Sequence, residues 1–259
     1  MTDMFSLAGK NAVVIGGAGG IGQAIAQGLA QSGARVAIAS RNVESLQRAV
    51  DEIKAASGME VAYYTVDAGD EESIKALVDK MEQEVGRIDI LVNAQGINKK
   101  FNAEEFPMDA FKQLFDINVA GVMMCCKHFG KHMIKNGYGK IVNVSSVRGK
   151  IATAAPGNAG YCGTKGALDM LTRQLASEFG KYNITVNGIG PTLTETPMMT
   201  EILNGRGPNA RKEIADKHPM KRMGLPGDCV GPAIFLSSEA SCFVTGNIIY
   251  PDGGLTAVG

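Results

Sequence analysis

The stretch Ala12-Val13-Val14-Ile15-Gly16-Gly17-Ala18-Gly19-Gly20-Ile21-Gly22 decides the fold. Four apolar residues with no polar alternation read as a strand buried on both faces, which is the pattern of a parallel sheet. The strand runs into a glycine cluster, and beyond it Ile21, Ala24, Ile25, Gly28 and Leu29 recur at helical spacing until Gly33 stops them. A strand, a glycine turn and a helix in that order form the head of a βαβ unit.

Outward from this unit the same alternation continues. Short β-branched runs fall at residues 12–15, 35–39, 61–66, 88–92, 140–144, 184–189 and 247–250, with helical patterns between them such as Ile74, Leu77, Val78, Met81 and Val85. The chain is therefore expected to be α/β, a single Rossmann-type doubly wound domain over residues 1–259, with a seven-stranded parallel sheet and helices on both faces. No fixed-period repeat or low-complexity linker divides it. Residues 192–225, rich in Thr, Met, Pro and Gly, break the alternation and are expected to form a substrate lid.

Composition narrows the partners. Lys+Arg and Asp+Glu balance at 26 each, so no long-range field attracts a nucleic acid. The five cysteines are odd in number and lack a CxxC spacing, which suits a reducing compartment and points to the cytoplasm. No apolar run approaches the length needed to cross a membrane. The expected partner is a small molecule.

The glycine turn lets backbone approach a diphosphate closely, with the free N–H groups and positive end of a helix aimed at it. Gly16, Ala18, Gly19, Gly20, Ile21 and Gly22 are the contact positions, in the spacing GxxxGxG. The second strand ends in Ser40-Arg41-Asn42, without the carboxylate that would receive ribose hydroxyls and repel a 2′-phosphate. Arg41 presents a fork that matches a phosphate, and Ser40 and Asn42 add neutral donors. This pattern predicts NADP(H) as the preferred cofactor and NAD(H) as the second choice. Asp67, with Ala68 beside it, ends the third strand where an adenine amino group would be received, while Asp70 can cap the next helix.

Tyr161 and Lys165 stand four residues apart on one helix face. A cation beside a phenol stabilises the phenolate and is expected to lower the phenol pKa, so that Tyr161 can exchange a proton while hydride moves. Lys165 can also hold ribose hydroxyls. Ser146, at the carboxyl end of the fifth strand, lies where ligands bind in such folds, and its hydroxyl can polarise a substrate oxygen.

With these motifs in place, the chain resembles the short-chain dehydrogenase/reductase family in its standard length class, from Leu7 to Leu255. The resemblance rests on the glycine loop, Asp67, Asn93-Ala94-Gln95-Gly96, Asn118 within Asp116-Ile117-Asn118-Val119, Ser146, the Tyr161/Lys165 pair, Pro191 to Thr196 and Asp252-Gly253-Gly254. It implies a catalytic set of Asn118, Ser146, Tyr161 and Lys165, with Asn118 holding a helix distortion and a water that relays protons from Lys165. It implies cofactor contacts at Asn93, Ala94, Gly96, Tyr161, Lys165, Pro191, Thr194 and Thr196, and a homotetramer. Three departures stand out: Ile15 where the family has Thr, Asn-Ala-Gln-Gly for Asn-Asn-Ala-Gly, and Pro191-Thr192 for Pro-Gly.

Asn98, Lys99 and Lys100 after the fourth strand, and Arg148 and Lys150 after Ser146, place cations around the substrate mouth. Asn98, Lys100, Ser146, Arg148 and Tyr161 are the expected substrate contacts, and an anionic, hydroxyl-rich molecule suits them. The closing segments resemble family members that oxidise or reduce sugar acids, such as gluconate 5-dehydrogenases. A 3-oxoacyl-thioester reductase and a hydroxysteroid dehydrogenase stay open, the latter through Met198, Met199, Ile202 and Leu203, as does a dinucleotide-binding sensor without turnover. No metal is expected: His128 and His132 have chelating spacing but lack a third ligand.

Overall fold

The computed structural model describes residues 3–258, with the side chain of Met198 outside that description. Seven strands, β1 (Asn11–Ile15), β2 (Arg35–Ser40), β3 (Ala62–Thr65), β4 (Ile90–Asn93), β5 (Gly139–Val144), β6 (Ile184–Ile189) and β7 (Ile248–Ile249), form one sheet. Their order is β3-β2-β1-β4-β5-β6-β7 and every pairing is parallel. The helices between them are α1 (Gly20–Gln31), α2 (Val43–Ser57), α3 (Glu71–Val85), α4 (Met108–Phe115), α5 (Gly121–Asn136), α6 (Ala159–Phe179), α7 (Pro197–Gly205), α8 (Ala210–Ala215) and α9 (Val230–Ser237). Among the described residues no helix is long and apolar enough to cross a membrane.

The period of two along each strand divides the core. Ala12 and Val14 of β1 point toward Ile25 and Leu29 of α1, Leu46 and Ile53 of α2, and Ala233 and Leu236 of α9. Val13 and Ile15 join Ile74 and Met81 of α3, Phe129 of α5 and Leu168 and Leu175 of α6 on the other face. Both faces are thus covered, which is why β1 reads as unbroken apolar sequence.

Several strand ends differ from the sequence expectation, most of them by one residue. The fourth strand begins at Ile90; just before it, the carboxylate of buried Asp89 receives the Asn11 N–H at 2.9 Å and pairs with the Arg87 guanidinium at 2.5 Å. The seventh contains only Ile248 and Ile249, the two residues that pair with Gly188 and Ile189. Tyr250 instead turns its phenol to α6. Residues 192–225 form a two-helix excursion with a small core of Leu203, Ala210 and Met223. Its ends are joined where Glu195 N–H donates to Gly224 O at 2.8 Å.

Strand order reverses between β1 and β4. Their carboxyl ends part, and the crevice between them is where ligands bind in open parallel sheets.

Candidate active site

Gly16 leaves β1 at φ +80°, and a Cβ there would lie 2.6 Å from the backbone nitrogen of Gln95, so only glycine fits. Backbone alone steadies the loop: Gly16 N–H donates to Ala39 O and Ala94 N–H donates to Ile15 O, both at 2.8 Å. The Thr-to-Ile departure at position 15 is therefore absorbed, its side chain serving the core. Helix α1 starts without a side-chain cap or an acidic residue in its first turn, and the outer side of Gly19 is open. Its first N–H groups have no intrahelical partner, which leaves an anion cradle. A Cβ on Gly20 would come within 3.2 Å of Thr196 Cγ2, so the strap after β6 closes over this loop. These features fit the diphosphate of a dinucleotide.

At the end of β2, Arg41 is exposed and forms no hydrogen bond or ion pair with the described residues. Asn42 has a different task from the one expected: its side-chain oxygen accepts from Ser45 N at 2.7 Å and caps α2, leaving only its amide NH2 for a ligand. Ser40 is half-buried beside them. Asp70 is the cap of α3, and Asp67 accepts only the Gly69 N–H through its side chain, at 2.9 Å, so one Asp67 oxygen faces outward unused. Half-buried Ala68 lies against Gly121 at the start of α5. Asn93 points into the core instead of the crevice, donating to Asn143 Oδ1 at 2.9 Å. At the two altered positions, Ala94 faces the glycine loop and Gln95 turns toward Cys125 of α5, 3.8 Å away.

The reacting groups converge from three elements. Helices α4 and α5 are joined through a π-helical stretch, Asp116–Ala120, that contains Asn118. Asn118 is fully buried; it accepts the Ile97 N–H at 2.8 Å and donates to Ile97 O at 2.9 Å and Thr164 Oγ1 at 3.1 Å. It thereby ties the segment after β4 to α6. Lys165 on α6 is buried and donates to Val144 O at the end of β5, at 2.9 Å. Two residues on, Ser146 accepts the Arg148 N–H at 3.1 Å and reaches Pro191 O only at 3.5 Å, so its proton is loosely held. The Lys165 ammonium lies 5.7 Å from the Tyr161 ring centroid.

The electrostatics depart from the expected lowering of the phenol pKa. Burial pushes the Tyr161 phenol above its ordinary value, against smaller opposing effects of the Ser146 hydroxyl and the Arg148 charge. Burial also pulls Lys165 down to about 8, with the carboxylate of Asp169 resisting. The amine therefore gives up its proton before the phenol does. At neutral pH the site holds a cation beside a protonated phenol.

Around the mouth, Lys100 packs against Gly157, where a Cβ would lie 3.2 Å from Lys100 Cβ, and Asn98 is exposed on the same segment. Arg148 donates to Ala152 O at 2.6 Å. Lys150 is drawn away from the mouth, to Thr256 at 3.3 Å and over the Tyr250 ring at 5.0 Å. The strap places Thr194 against Gly224 and uses Thr196 to cap α7. Thr192, which stands where the resembled family has glycine, is held by His218 at 2.9 Å. Of the lid side chains, Leu203 is buried within the excursion, Ile202 is exposed, and the Met198 side chain lies outside the described residues. His128 pairs with Glu71 at 2.9 Å, and His132 accepts the Ile88 N–H at 3.1 Å. Unanticipated residues also border the centre: Ser145, Asp169 and Tyr250. Asp169 stands four positions after Lys165, and that helical spacing was the available signal.

The chain matches the family described as enoyl-(acyl carrier protein) reductase over residues 16–256. It is 37% identical over 258 residues to a gluconate 5-dehydrogenase of Gluconobacter oxydans, covering 98% of this chain and 97% of that protein. It is 36% identical over 256 residues to a 2-dehydro-3-deoxy-D-gluconate 5-dehydrogenase of Formosa agariphila, covering 98% and 96%. A gluconate 5-dehydrogenase from Burkholderia cenocepacia, solved with NADP and tartrate, superposes with a TM-score of 0.91 at 34% identity, covering 99% of each chain.

Replacing Asn118 by Ala strips both backbone groups of Ile97 of their partners. The expected cost is about 1–3 kcal/mol, measured by urea unfolding.

Proposed function

The chain belongs to the short-chain dehydrogenase/reductase family and is an oxidoreductase acting on CH–OH groups; on that premise we propose that it interconverts the secondary alcohol and ketone of a sugar acid or related polyhydroxy anion with NADP(H). The observation that carries the reading is the convergence of Tyr161, Lys165 and Ser146 at the carboxyl edge of the sheet. Bound in the crevice, the nicotinamide dinucleotide supplies or receives the hydride.

In this proposal the α1 N-terminus and the glycine loop hold the diphosphate, with Thr194 and Thr196 on the strap and Ala94 and Gly96 along the crevice. Arg41 takes the 2′-phosphate, and its lack of a partner among the described residues supports that role. In ketone reduction Tyr161 gives its proton to the oxygen that becomes the alcohol, and Ser146 orients that oxygen with its loosely held hydroxyl. The Lys165 ammonium stabilises the phenolate as it forms. Asn118 holds the segment after β4 against α6. Arg148, Lys100 and Asn98 receive the carboxylate and hydroxyls of the substrate, in keeping with the gluconate-acting relatives.

A panel of sugar acids, polyols, steroids and acyl thioesters, followed at the nicotinamide absorbance, tests the substrate class; preference for any group other than the sugar acids overturns it. Tyr161→Phe is expected to lose about 10²–10⁴-fold in kcat while binding NADPH as tightly as the natural chain by fluorescence. A dinucleotide sensor without turnover would show no such loss. Arg41→Ala is expected to reduce the NADP-to-NAD ratio of kcat/KM by about 10- to 100-fold, as loss of a charge-assisted phosphate contact implies. An unchanged ratio would remove Arg41 from the cofactor site.

A further inference from the structure

One helical turn beyond Lys165, Asp169 of α6 is only 2% exposed. The Ser145 hydroxyl donates to its Oδ1, and the Tyr250 phenol donates to its Oδ2 at 3.1 Å. Ser145 is the residue between Val144, whose carbonyl receives the Lys165 ammonium, and Ser146. The turn after Ser146 is pressed onto the same carboxylate: a Cβ on Gly149 would lie 2.8 Å from Asp169 Cγ and from Lys165 O. On the far side, Tyr250 belongs to the C-terminal segment. That segment is closed by Lys150 on Thr256, and by Asp252, which accepts the N–H groups of Gly254 and Thr256 at 2.9 and 2.8 Å. A buried carboxylate is costly unless its charge is used. This one is hydrogen-bonded by hydroxyls alone.

We propose that Asp169 is a positioning residue for the reacting centre: through Ser145 and Tyr250 it locks the end of β5 to the C-terminal segment, and its charge holds the Lys165 amine protonated. The inference rests on the assignment of Lys165 to the reacting centre made above. The groups facing the pair can be named from every side. Helix α6 contributes Tyr161, Cys162 and Arg173, the C-terminal segment contributes Tyr250 with Asp252 beyond it and Lys150 over its ring, the turn after β5 contributes Arg148, and the π-helical stretch contributes neutral Asn118. The charge that opposes the effect of burial on Lys165 is that of Asp169. The sign is set by charge: without the buried carboxylate one helical turn away the ammonium loses a stabilising anion and gives up its proton at lower pH.

The test is an NMR titration of the Lys165 Cε carbon in the full chain without cofactor, with the signal assigned by its disappearance in Lys165→Met. Asp169→Asn is expected to lower the Lys165 midpoint by about one pH unit. Because coupling is reciprocal, Lys165→Met is expected to raise the midpoint of the Asp169 Cγ carbon by a similar amount. This second arm decides the matter if Asp169→Asn does not fold. Midpoints unchanged in a folded Asp169→Asn, or in Lys165→Met, would reduce Asp169 to a packing role and overturn the proposal. Neither titration needs turnover, so a chain that fails the dehydrogenase assay can still pass this test, and the two failures are told apart.

Discussion

The hydrogen bond from the buried Lys165 ammonium to Val144 O, 2.9 Å long, is the contact on which the site depends. A cation in a protein interior is stable only where carbonyls and carboxylates replace the water it gives up. Here the end of β5 supplies the carbonyl and α6 supplies Asp169. The compensation is partial, and the amine's pKa falls to about 8. The charge therefore persists at neutral pH but with little margin. The phenol beside it stays protonated, so the free site is set up as a proton donor.

Sheet topology puts these groups within reach of a nucleotide. Reversal of strand order at β1 and β4 opens the crevice, and the two adjacent strand ends, β4 and β5, lead to the Ile97 segment and to Ser146. Asn118 joins the first of these to α6 through Ile97 and Thr164, and Lys165 joins the second to the same helix. The strap after β6 reaches back over the glycine loop through Thr196. Helix α6 thus fixes the relative positions of acid, cation and hydroxyl before any ligand arrives.

Much of this was legible in the sequence because its determinants are local. The run from Ala12 to Gly22 carries strand, turn and helix in consecutive residues, and a spacing of four places Tyr161 and Lys165 on one face. What was not legible depends on tertiary placement. Tyr250 meets Asp169 across 81 residues of sequence, and no local pattern announces it. Asn42 resembles a ligand donor and a helix cap equally well, and only the geometry of α2 selects the cap. Lys150 belongs to the same short segment as Arg148 but turns to the C-terminal segment. The direction of the Tyr161 shift follows from burial, which a spacing rule does not contain.

The charge on Lys165 as the source of the phenol's acidity is tested most directly by the pH dependence of kcat/KM for ketone reduction at saturating reduced cofactor. The rate constant should be level through neutrality and fall as Lys165 loses its proton above about 8, and Lys165→Arg, which keeps its charge, should carry that decline to higher pH. A rate that stays level or climbs through the same range, or a decline that Lys165→Arg leaves in place, would contradict it.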